Sequence, residues 1–450
     1  MGLTEDLPGS TTTLRAKADE LRKEGNYSEA AEYYAQLWPC TDKWVGWGYA
    51  FSLRKLRRIN EAFEVGKALL ELDPSFQYGR SICSWIAWDL MRAQTTASEV
   101  ARRAKWIVRL TKDLEDPYAA VTPFVPAVLR AARAWCDAGR YRNAKAWLQQ
   151  LDPIRLSQDE PCFTDTQGKT RRLGSAREKY YALKTRTLEK LGQWQECHDA
   201  AREALRCCPT LHHDNDIWFA RRAALASSHC GQAAAAIAEL EQLLTRKATT
   251  FIHVDIATIA HSIDEKDLAY RHTLSALVTP SELVYKLPAL KLMARILAER
   301  GQESDARDHV ELATAVRVAS AWGSDAELAH LAIALGAESE TPIESLLPSL
   351  TSRWTTWNEN LNPRKSGTVE KLLPHGRAGF IRAQDGQRHY FDIREWKVPG
   401  RRLKERLTVT FSTASSFDKK RQCSTVVARD IRPDMMHDES ARHAAAHQVH

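Results

Sequence analysis

The sequence predicts a mainly α protein, an α-solenoid of stacked helix pairs followed by a small C-terminal β-barrel. Three observations carry this expectation. Helix-pair patterns recur at a period of roughly 34 residues as far as residue 337. Beyond residue 364 the pattern changes to short alternating segments separated by Gly and Pro turns, the signature of antiparallel strands. Charge divides at the same point. Residues 364–433 hold 17 Lys and Arg against 7 Asp and Glu, a net +10, whereas the rest of the chain holds 47 against 50. The predicted organisation is a flexible N-terminus (1–13), a helical array (14–337), a linker (338–363), the barrel (364–433) and a disordered tail (434–450).

A chain of 450 residues with 44% hydrophobic and 27% charged residues has ample apolar content for a core. No stretch of apolar residues is long enough to span a bilayer, and the first residues are polar with no apolar signal region, so a cytoplasmic protein without membrane contact is expected. The nine cysteines form no C-x-x-C pair and fall mostly within helical apolar patterns, which suits reduced core thiols.

In the first helical unit, Ala18 and Leu21 lead through Gly25-Asn26-Tyr27 to Ala30, Ala31 and Tyr34. The second sets Trp44, Trp47, Gly48 and Phe51 on one helix and Glu61-Ala62 at the opening of another, which ends at Leu72-Asp73-Pro74. This resembles the tetratricopeptide repeat, with a two-residue insertion around Arg57 as the departure. Further units centre on Gly139 with Ala144, Gly192 with Cys197, Gly231 with Ala236 and Gly301 with Ala306. Small residues suit the close approach of two helices, and Gly suits a left-handed turn between them. The resemblance implies a superhelical groove that holds a protein partner. Residues 151–175 read as an extended loop interrupting the array, and 251–278 as a helix pair with little of the repeat pattern. Trp354 and Trp357, spaced i and i+3, are expected to dock the linker onto the array or the barrel.

Candidate catalytic and metal-ligating groups are sparse. His212-His213-Asp214-Asn215-Asp216 are adjacent loop residues that cannot all point at one ion, and Asp214 or Asp216 is placed to cap the following helix. His253, Asp255 and His261 lack the i, i+4 histidine pair of a zinc helix. Arg222 and His229, with six residues between them, resemble in spacing the Arg-His motif of helical ribonucleases of the HEPN class. No catalytic residue, metal or cofactor is expected.

In the barrel the order Gly-Thr-Val-Glu-Lys (367–371), Ala-Gly-Phe-Ile (378–381), Asp-Gly (385–386) and Tyr-Phe (390–391) resembles the cold-shock domain, an OB-type fold that binds single strands. The resemblance implies bases stacked on aromatics from two neighbouring strands. Aligned on Gly379-Phe380-Ile381, the family's Trp is replaced by Lys371, a Phe by Leu372 and another by Ala378. Phe380 holds a second platform position, and Phe391 matches the central Phe of the third strand after His389 and Tyr390. Each lost platform costs ~1–3 kcal/mol of stacking. Lys371, Arg377, Arg382, Arg388 and Arg394 are expected to meet phosphates, joined at strand connections by Arg401, Arg402 and Lys404 and by Lys419, Lys420 and Arg421.

The expectation is therefore a non-catalytic adaptor whose array grips a protein and whose barrel engages RNA or single-stranded DNA. One alternative is a protein-only scaffold in which a one-residue register slip turns Phe380 and Phe391 into the core. The other is a helical ribonuclease using Arg222 and His229.

Overall fold

A computed structural model of the chain describes residues 11–337, 341–398, 403–418 and 423–434. It divides into two compact units, 1–226 and 227–450. In the first, antiparallel hairpins are formed by α1 (Thr11–Glu24) with α2 (Tyr27–Leu37), α3 (Lys43–Lys55) with α4 (Ile59–Leu72), α5 (Gln77–Arg92) with α6 (Ala97–Thr111), α7 (Phe124–Asp137) with α8 (Tyr141–Leu148), and α9 (Ala176–Lys190) with α10 (Trp194–Cys207). Helix α11 (Asn215–His229) crosses the division. The expected loop at 151–175 carries a 3-10 turn and a hairpin of β1 (Cys162–Thr164) and β2 (Thr170–Arg172), exposed on both faces.

The second unit contains α12 (Ala233–Arg246), α13 (Thr250–Ser262) paired with α14 (Lys266–Val278), α15 (Leu287–Glu299) paired with α16 (Glu303–Ala319), α17 (Ala326–Leu335) and α18 (Ile343–Leu361). Among the described residues no helix is long and apolar enough to cross a membrane.

One geometric rule generates the hairpins. Gly25, Gly139, Gly192, Gly231 and Gly301 all take positive φ, and the residue five places on (Ala30, Ala144, Cys197, Ala236, Ala306) is buried at the helix crossing. A left-handed residue reverses the chain, and a small side chain then lets the second helix close on the first. Arg57 (φ 63°) before Ala62 and Asp264 (φ 62°) before Ala269 follow the same step without Gly. The segment 251–278 is thus a regular hairpin in geometry although its sequence pattern is weak, and Arg57 occupies the turn position itself.

The segment expected as a linker, 338–363, instead holds the 19-residue α18, which packs as part of the helical core through buried Leu350 and Trp354. Trp354 Nε1–H donates to His309 Nε2 (2.8 Å), and the other ring nitrogen of His309 donates to the Asp305 carbonyl (2.7 Å). Trp357 stacks on the same imidazole with an interplanar angle of 12°, and Arg353 pairs with Asp305 and Asp308. The two tryptophans therefore dock on the array. At the N-terminus α1 already begins at Thr11, inside the segment expected to be flexible. The expected tail lies outside the described residues from 435 onward.

The C-terminal domain is a closed five-stranded barrel of β3 (Lys365–Leu372), β4 (Ala378–Ala383), β5 (Arg388–Asp392), β6 (Thr408–Asp418) and β7 (Cys423–Pro433), in the order β3-β4-β5-β7-β6 with β6 returning to β3. The β5–β7 pairing is parallel and the others antiparallel. Val369, Ile381, Phe391, Val409, Phe411 and Ile431 fill its interior. Gly379 is obligatory for close packing: a Cβ there would lie 2.5 Å from the Lys371 carbonyl oxygen and 2.7 Å from the Phe391 ring.

Candidate nucleic-acid interface

Strand alternation divides the sequence-derived residues between two faces of the barrel. Register pairs Phe380 with Tyr390, Arg382 with Arg388 and Lys371 with Phe380, so these five share the outward face. Gly379 pairs with Phe391, on the inward face. Phe391 is fully buried and His389 is 3% exposed, tilted against Phe411. The expectation that Phe391 and His389 help to form the binding face is therefore corrected: both are barrel core, and Tyr390, 41% exposed, is the outward aromatic of β5. Phe380 is half-buried on the outer face, so the core placement that the protein-only alternative gave to both rings holds for Phe391 and not for Phe380.

Phe380 and Tyr390 meet edge to face, with centroids 5.7 Å apart. The Arg388 guanidinium carbon lies 4.0 Å from the Phe380 ring centre, a cation–π contact. Alternation from buried Val369 turns Glu370 to the outer face, and the register shift between Val369 and Lys371 brings Lys371 opposite Phe380 on that face as well. The Glu370 carboxylate accepts from Arg382 Nη2 (2.6 Å) and Arg388 Nε (2.7 Å). The Arg382 hydrogen bond, followed by the charges of both arginines, holds the Glu370 carboxyl below the usual carboxylate range. Glu370 is absent from the sequence-derived set although alternation places it outward, because an acidic residue is not among the groups expected to meet phosphate.

The remaining cations are dispersed. Lys371, Arg377 and Lys404 are exposed, and Arg377 occupies the β3–β4 connection. Arg394 is held by Asp392 (2.9 Å), whose carboxyl is pulled down to about 2 chiefly by that hydrogen bond. Arg401, Arg402, Lys419, Lys420 and Arg421 lie outside the described residues.

The other candidates serve structure. The His212 backbone N–H donates to buried Glu178 (2.7 Å), and Asn215 Nδ2 does likewise, fastening the start of α11. Arg222 donates to Glu189 (2.9 Å) and Thr185 (3.3 Å), with its side chain 14% exposed, so its guanidinium is committed to an ion pair. Among the described residues no group of three or more His, Cys, Asp or Glu is arranged to hold a metal.

On the first unit, an aromatic ledge joins α3 to α5 and to the residue preceding it. Trp44 and Trp47 stand beside Tyr78, with centroids 5.0 and 6.0 Å away, Phe76 beside Trp44, and Arg22 of α1 over Trp47 at 4.6 Å. Tyr78 is 56% exposed. The repeat pattern marks these tryptophans in the sequence, but not their exposure.

No known family and no curated protein matches the chain. Among solved structures, a tetratricopeptide repeat protein from Parabacteroides merdae is 13% identical, covering 63% of this chain and 98% of its own, with a TM-score of 0.29. Human IFIT1, solved as a dimer with m7Gppp-AAAA, is 13% identical over 78% of this chain and 81% of its own (TM-score 0.35). BtubC from P. vanneervenii is 12% identical over 51% and 92% (TM-score 0.36).

Proposed function

We propose that the protein is a non-catalytic cytoplasmic adaptor, in which the helical array binds a protein partner and the barrel binds single-stranded nucleic acid, RNA or DNA, as an OB-type, cold-shock-like domain. The observation that carries the nucleic-acid reading is the Phe380–Tyr390 pair on adjacent strands, bordered by Lys371, Arg382 and Arg388. OB-type barrels bind oligonucleotides over their second and third strands and the connection between the first two. Here those are β4, β5 and the turn bearing Arg377. Stacking and phosphate neutralisation are both available on this face, and neither requires base-specific hydrogen bonds. The aromatic ledge around Trp44 and Tyr78 supports protein contact by the array, since exposed aromatics are enriched where proteins meet.

The test is fluorescence anisotropy of labelled oligo(U) and oligo(dT) with the full chain and with a Phe380→Ala, Tyr390→Ala double variant. Stacking at ~1–3 kcal/mol per base predicts a loss of about tenfold or more for the double variant. Full affinity in that variant would move binding away from this face. No binding by the native chain at low salt would favour the scaffold reading.

A further inference from the structure

The Glu370 carboxylate is held between two arginines of the outer face. Arg382 and Arg388 are cross-strand neighbours, and each gives one N–H to a different oxygen of the same carboxylate. Two guanidinium donors converging on a pair of anionic oxygens is the arrangement that also grips a phosphodiester. The arginine side chains are 55% and 46% exposed, so the contact is the kind of surface ion pair that solvent and competing anions exchange readily. Arg388 also lies over Phe380, while Tyr390 on the same face remains open to a base.

We infer that Arg382 and Arg388 form a phosphodiester subsite whose resting occupant is the Glu370 carboxylate, an internal competitor that the strand's backbone must displace. The inference rests on reading the barrel as a nucleic-acid-binding domain. Displacement leaves Arg388 stacked on Phe380 and sets a phosphate beside the base carried by Tyr390. It also leaves a carboxylate near the bound strand, which weakens binding and lowers the number of cations that act in it. Glu370 is thus a positioning and affinity-setting residue.

Glu370→Gln keeps the side-chain shape and removes the charge, and Glu370→Ala removes the competitor altogether. With a labelled uridine 12-mer at low salt, both variants are expected to bind about three- to tenfold more tightly than the native chain. The slope of log affinity against log salt should steepen by about 0.7 for each phosphate contact regained. Adding Arg388→Ala to Glu370→Gln should abolish the gain, showing that it acts through the subsite. Native binding with no gain in either Glu370 variant would overturn this inference and leave the nucleic-acid reading intact, as would a gain that survives Arg388→Ala. Absence of binding by the native chain and by every variant would overturn that reading as well.

Discussion

Tyr390 and Phe391 are chain neighbours on opposite faces of one strand, and that alternation separates the ring of the proposed interface from the ring of the core. Phe391 is enclosed by the barrel core and closes against Gly379, so truncation leaves a cavity in a small domain. Phe391→Ala is expected to destabilise the barrel by about 3–5 kcal/mol, read as a shift of its urea unfolding transition. Tyr390→Ala should leave that transition nearly in place while reducing oligonucleotide affinity. Similar unfolding shifts for the two would contradict the face assignment. Both residues are visible in the sequence, where a Tyr-Phe pair in a strand must put one ring inside and one outside. Which ring goes inside depends on the β4–β5 register, with Gly379 opposite Phe391 and Phe380 opposite Tyr390, and neither composition nor resemblance supplies that.

Helix α18 shows the opposite balance of signals. Thr, Pro and Ser dominate the start of 338–363 and argue for a linker, and Pro348 removes one helical hydrogen bond. Burial of Leu350 and Trp354 overrides this local preference, and the i, i+3 spacing of Trp354 and Trp357 was the legible trace of it. The clamp has a pH signature. Burial pushes the His309 pKa down to about 4, and it does the same to the contacting pair His253 and His272, whose Nδ1 atoms are 3.0 Å apart on α13 and α14. All three are neutral in the folded chain below the pH at which they take up protons when unfolded. The unfolded state therefore binds more protons between about pH 6.5 and 4. Their stabilisation is complete above that range and is lost as pH falls through it, by about 3 kcal/mol for His309 alone. His309→Gln, which keeps an acceptor for Trp354 without titrating, should flatten the pH dependence of unfolding measured from pH 7 to 4.5. An unchanged profile would show that His309 does not govern it.

Across the chain, the repeat period and the change to strands near residue 364 were legible because both arise from local chemistry: left-handed turns followed by small residues, then alternating segments between Gly and Pro. The regular hairpins at Arg57 and Asp264 were obscured because two non-Gly residues hold the left-handed position, which costs strain but leaves the helix crossing at Ala62 and Ala269 intact. The charge partition was equally plain, yet it overstated what the barrel offers to a strand. Among the described residues, Glu370, Asp392, Glu395, Asp385 and Asp430 pair with Arg382, Arg388, Arg394, Arg429, Lys365, Arg364 and Arg432, so the aromatic pair is bordered by Lys371 and the exchangeable Arg382 and Arg388, with Arg377 and Lys404 exposed elsewhere on the domain. Binding by the full chain should accordingly involve few phosphates and tolerate many sequences. The deciding measurement is the affinity of the full chain for a labelled single strand between about 50 and 200 mM salt. With three or four phosphate contacts, log affinity should fall linearly with log salt with a slope of about −2 to −3. No binding at the lowest salt, or an affinity that salt does not change, would contradict nucleic-acid binding by the barrel.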